Sequence, residues 1–116
     1  MADGQLDGIT ARTVAQAAHA GDPLALQLVH QAGDALAAGL VGLINVLNPC
    51  RVILGGGVMK GMPELLAQVD RSVRRRALAA ATANLEIIPA KLQDDAGVIG
   101  AAALALDGAE LRGHRD

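Results

Sequence analysis

The sequence predicts an α/β fold that is mostly helical, ordered helix, helix, strand, helix, strand, helix, with parallel strands. Three observations carry it. Asp22-Pro23 opens a long apolar stretch that Asn48-Pro49 closes. Two short apolar runs, Val52-Ile53-Leu54 and Leu85-Glu86-Ile87-Ile88, are each bounded by breakers. Between them, Leu65, Leu66, Val69 and Val73 fall at helical spacing. A strand, helix and strand in this order form a right-handed crossover.

Taken along the chain, residues 1–9 read as a leader, 10–106 as the folded part and 107–116 as a flexible tail. Thr10 is placed to cap a helix over Ala11 to His19, which Gly21 ends in a left-handed conformation. An aspartate cap with proline at the first helical position starts a second helix, Pro23 to Leu47. Its second half has Asn45 as its one polar side chain and needs cover on nearly every side, and Gly39 and Gly42 would let a neighbouring helix approach closely. Val52 to Leu54 then reads as a buried strand. Pro63 opens a third helix whose final arginines, with Glu64 at its start, suit the macrodipole. Pro89 limits the pairing of the second strand, and Asp94 or Asp95 caps a last apolar helix from Ala96 to about Leu106.

Composition removes several function classes. At 116 residues there is room for one domain, and a formal net charge of −2 gives no reason to expect direct nucleic-acid binding. The chain has no Phe, Tyr or Trp, so no base can stack on an aromatic plane and the core is built from Leu, Val, Ile and Ala. Cys50 stands alone, which rules out an internal disulfide and suits a reduced cytoplasmic protein. The first eight residues carry two aspartates and no apolar run, unlike a signal peptide, and the uncharged stretch from Ala35 to Pro49 is too short to span a bilayer. No membrane partner is expected. Two parallel strands are not a stable sheet, however, and the exposed edge predicts a homo-oligomer, most simply a dimer, or a piece of a larger fold.

The candidate site is Gly55-Gly56-Gly57-Val58, at the carboxyl end of the first strand, where ligands bind in open α/β sheets. Glycine there offers positive φ and bare backbone. The triplet fits neither common phosphate loop: Lys60 and Gly61 stand where a Walker loop needs glycine then lysine, and a dinucleotide loop also needs glycine at Lys60. By itself it reads equally as a tight turn. Asp94-Asp95-Ala96-Gly97-Val98-Ile99-Gly100 adds a second corner of small residues after the neighbouring strand, and the two corners would lie side by side with room for a flat ligand. Asp94 and Asp95 are read as caps rather than magnesium ligands.

These runs, with Leu43-Ile44-Asn45-Val46-Leu47-Asn48-Pro49 before them, resemble the C-terminal part of the ROK family of sugar kinases and sugar-responsive repressors. The resemblance covers Ile9 to Leu106. It implies the actin-like ATPase fold, with ribonuclease-H-type lobes closing on ATP and a hexose, and glucokinase as the commonest activity. Gly55, Gly56 and Gly57, with Val58, then match the adenosine-contacting motif, and the helix around Gly97 and Gly100 matches the second connecting segment. The implied cofactor is ATP with magnesium.

The family's phosphate loop Asp-x-Gly-x-Thr, its Asn-Asp pair carrying the catalytic base, its Gly-Thr-Gly loop and its cysteine-rich zinc motif do not occur in this sequence. One cysteine and three scattered histidines cannot make a four-ligand zinc site. No catalytic residue is therefore assigned, and the chain alone is expected not to phosphorylate a sugar. Arg71, Arg74, Arg75 and Arg76 read as a solvated face. His19 and His30 read as exposed helix positions and His114 as part of the tail; no pairing with a carboxylate at helical spacing suggests a ligand or a base, and none is given a role. Three readings stay open: the nucleotide side of a sugar kinase, the effector or dimerisation part of a repressor, and a self-associating module that binds no nucleotide.

Overall fold

A computed structural model describes residues 8–92 and 95–113. Its elements are α1 (Ala11–His19), α2 (Pro23–Leu47), β1 (Arg51–Leu54), α3 (Gly57–Gly61), α4 (Pro63–Arg76), α5 (Ala79–Thr82), β2 (Glu86–Pro89) and α6 (Ala96–Gly113). Six of these, α1, α2, β1, α4, β2 and α6, follow the predicted order. The two short helices are additional: with five and four residues, they are too short to show a period in the sequence.

Local chemistry explains the boundaries. Thr10 and Thr13 form a reciprocal capping box at the start of α1. At its end the Gly21 N–H donates to Ala18 and the Asp22 N–H to Ala17, both at 2.9 Å, with Gly21 at φ 85°. This is a Schellman ending, and it delivers Asp22 directly as the cap of α2, where its Oδ1 accepts from the Ala25 N–H at 2.8 Å. Asn48, at φ 45°, closes α2 in the left-handed region. The last helix runs on to Gly113, past the end expected near Leu106.

The core lies along the α2–α4 seam. Gly33, Ala37, Leu40 and Ile44 form an inward stripe on α2, facing Leu65, Val69 and Val73 of α4. Ala37, Ile44, Val69 and Val73 are wholly buried. The close approach comes at Gly33, where a Cβ would meet the Gln68 side chain at 2.7 Å, whereas Gly39 and Gly42 face open space. Gln68 uses that room to donate from Nε2 to the His30 carbonyl at 2.9 Å. Asn45 accepts the Leu78 N–H at 2.9 Å, which spends the one polar group of the apolar half on the start of α5.

β1 and β2 pair in parallel, Arg51 opposite Glu86 and Leu54 opposite Pro89. The register is pinned at one end by Arg51 and Glu86, 2.7 Å apart, and at the other by the Ala90 N–H donating to Leu54 at 2.8 Å. The first strand is not buried as expected. Val52 and Leu54 face the core while Ile53 is 61% exposed, because only one face of the sheet is covered. The same holds for the apolar half of α2, where Leu43, Val46 and Leu47 are exposed.

Contrary to the reading from its uncharged run, α2 is long and apolar enough, by length and composition, to cross a membrane. Its inward stripe packs on α4 and the core, while 22% of its apolar window is buried.

Candidate functional site

The triplet divides three ways. Gly55 lies against the residue that follows β2, where an added Cβ would come to 3.0 Å from Ala90 Cβ. Gly56, at φ 101° and ψ 167°, takes a backbone conformation that only glycine holds cheaply, and it turns the chain from β1 into α3. Gly57 begins that helix with open space where a side chain would be. The predicted corner is thus both a strand-to-helix turn and a stretch of bare backbone.

What the bare backbone faces is α1. A cleft of about 660 Å³ separates the two helices. Gly57, Val58, Lys60 and Met62 line one side, and Arg12, Ala15, Gln16 and His19 line the other. Ala15 and Met62 are buried and give an apolar floor, while the cationic side chains stand at the rim. His19 is tied across the mouth to Glu64 at 3.2 Å, linking the last turn of α1 to the first turn of α4. The volume falls within the range of small-molecule sites, roughly 300–1,000 Å³. The sequence reading missed this wall, because α1 carries no motif and meets the triplet only through the fold.

Of the predicted residues, Gly57 and Val58 line the cleft, whereas Gly55 packs toward Ala90 and Gly56 makes the turn into α3. Gly97 does not join them. A Cβ added there would have no neighbour within 4 Å, and α6 is exposed from Ala96 to Asp107. The two corners therefore do not enclose a ligand. Val98, Ile99, Leu104 and Leu106 are spread around α6, so no single apolar face lays it on the sheet. Asp94 lies outside the described residues, and Asp95 sits in a turn, its N–H donating to Leu92 at 2.9 Å.

Two surface readings are corrected. Arg74 is not merely solvated: it pairs with Asp70 at 3.0 Å and donates to the Thr82 and Leu85 carbonyls at 3.3 and 2.9 Å. Four residues separate arginine from aspartate on one helix face, which is the signal that predicts the pair. His30 also has a carboxylate partner, Asp34 one turn on, at 3.3 Å, and His19 has Glu64. Among the described residues no three His, Cys, Asp or Glu side chains gather to hold a metal ion.

A model of the ROK family matches residues 1–108. The chain belongs to the ROK family. It is 37% identical over 92 residues to a glucokinase of Halalkalibacterium halodurans, covering 79% of this chain and 28% of that one. It is 31% identical over 99 residues to the DNA-binding transcriptional dual regulator NagC of Escherichia coli, covering 85% and 24%. The crystal structure of a candidate sugar kinase from Cytophaga hutchinsonii matches with a TM-score of 0.73 at 26% identity, over 84% of this chain and 33% of that one. A ROK family transcriptional regulator matches with a TM-score of 0.61 at 28% identity, over 70% and 20%. This ROK chain therefore has the C-terminal part of the actin-like ATPase fold. It spans no more than about a third of the length of these relatives.

Proposed function

We propose that this ROK chain is the nucleotide-side segment of a cytoplasmic, glucokinase-like sugar kinase, and that the cleft between α1 and α3 receives adenosine. The observation that carries the reading is the triplet's bare backbone opening on a cleft with an apolar floor and a polar rim. That setting suits a flat base held edge-on by a few polar groups. The glucokinase match is stronger in identity than the regulator match, and the sugar kinase structure is the better superposition.

The residues present fit adenosine but not a magnesium cage, since no acidic cluster stands among the described residues. Magnesium would travel with the nucleotide phosphates. Gly57 and Val58 supply the adenosine contact, Gly55 and Gly56 place them at the end of β1, and Gly97 contributes only if α6 folds over the sheet. Hexose phosphorylation needs a base and a phosphate loop, and this sequence carries no family motif for either, so the chain alone is inactive on this reading.

Calorimetric titration of the chain with magnesium and ATP or ADP tests the proposal. Saturable binding is expected, and Gly57→Val should abolish it by filling the cleft from an unstrained position. Absence of binding by the folded chain would overturn the nucleotide reading. Gly56→Val is the poorer probe, because its φ adds strain of about 1–3 kcal/mol to any effect on the ligand.

A repressor's effector and dimerisation segment is the second reading, favoured by the 85% coverage in the NagC match. Both readings use self-association to cover Leu43, Val46, Leu47 and Ile53, which are exposed here.

A further inference from the structure

We infer that α1 is the base-reading wall of the cleft: the Arg12 guanidinium stacks on the purine, and the Gln16 side-chain amide hydrogen-bonds its polar edge. The inference rests on the nucleotide reading above and assigns its specificity to a helix that carries no motif. Arg12 and Gln16 lie four residues apart, so they stand one above the other on the side of α1 that lines the cleft. Opposite them, Gly57 and Val58 offer backbone and a single branched side chain.

A purine in a protein is ordinarily sandwiched against a planar group, yet this chain has no Phe, Tyr or Trp. Besides the small amide of Gln16, two planar side chains line the cleft, Arg12 and His19. His19 is engaged by Glu64 at 3.2 Å. Arg12 makes no ion pair among the described residues and is exposed, so its guanidinium plane is available to lie over a base. Gln16 is exposed too, and its side chain makes no hydrogen bond among the described residues. Its amide carries one acceptor and one donor side by side. That pair matches the N6 donor and N7 acceptor of adenine, whereas guanine presents two acceptors on the same edge. The cleft should therefore prefer adenine nucleotides, with Gln16 making the choice and Arg12 supplying affinity.

The test titrates ADP and GDP into the wild-type chain and into Arg12→Ala, Arg12→Lys and Gln16→Ala, with helicity checked by circular dichroism. Neither side chain belongs to the core, so all three variants should fold. Arg12→Ala and Arg12→Lys should each weaken ADP binding by about five- to tenfold, since lysine keeps the charge but loses the plane. Gln16→Ala should bring ADP and GDP to equal affinity. ADP binding restored by Arg12→Lys would overturn the stacking role in favour of simple charge. Undiminished discrimination in Gln16→Ala would overturn the reading of the base edge. Both outcomes leave the nucleotide cleft standing, whereas a wild-type chain that binds neither nucleotide overturns the cleft and the inference together.

Discussion

Arg74 holds three acceptors on three parts of the chain: the Asp70 carboxylate on its own helix, the Thr82 carbonyl at the end of α5 and the Leu85 carbonyl just before β2. It fixes where β2 begins relative to α4, and so where Leu54, the residue before the triplet, stands opposite Pro89. Arg74→Ala should cost about 1–2 kcal/mol, a charged hydrogen bond being worth roughly 1.5–3 kcal/mol before discounting for its partial exposure. Urea unfolding measures it as a lower midpoint with an unchanged slope. Ser72 has the opposite sign. Its Oγ is buried in the seam with no hydrogen-bond partner among the described residues. Ser72→Ala removes that desolvated hydroxyl and should raise stability by up to about 1 kcal/mol in the same assay. The spacing of Asp70 and Arg74 announces their pair, but the bonds from Arg74 to Thr82 and Leu85 and the burial of Ser72 depend on the fold and are not legible in the sequence.

Elements were legible where their ends carry their own chemistry. Thr10, Gly21, Asp22-Pro23 and Asn48 mark the bounds of α1 and α2 because caps and terminators act within four or five residues of sequence. Asp22→Ala should therefore destabilise α2 by about 1 kcal/mol, through loss of the bond to the Ala25 N–H, with thermal unfolding as the measure. The short helices α3 and α5 carry no side-chain cap, and nothing local announces them. The triplet was legible as a corner because Gly56 needs its φ of 101°. The wall opposite it was not, since Arg12 and Gln16 reach the cleft only once α1 has packed against α2 and α3. Gly97 stands apart from the cleft for a related reason. Its small-residue pattern says that something can approach closely, but not which surface does so.

At the scale of the whole chain, the missing cover dominates. Its radius of gyration is 18.7 Å, against about 13 Å for a compact domain of this length. Its accessible surface is 8395 Å², against roughly 5,900 Å² expected from its mass. Large apolar side chains contribute to it: Leu43, Val46 and Leu47 on α2, Ile53 on β1, and Val98, Leu104 and Leu106 on α6 are all more than half exposed. Large apolar side chains left bare in such number on one chain suit a surface that another layer covers. The single covered sheet face and the stripe spent on α4 leave that surface free for a second layer. The chain should therefore self-associate as its concentration rises, which sedimentation velocity would follow. Val46→Glu, at a position 81% exposed, should shift the equilibrium toward monomer without loss of helicity, because it touches none of the α2–α4 core. If the glutamate variant and the wild type sediment identically as monomers across that range, the bare face is tolerated by water, and association has no part in how this chain works.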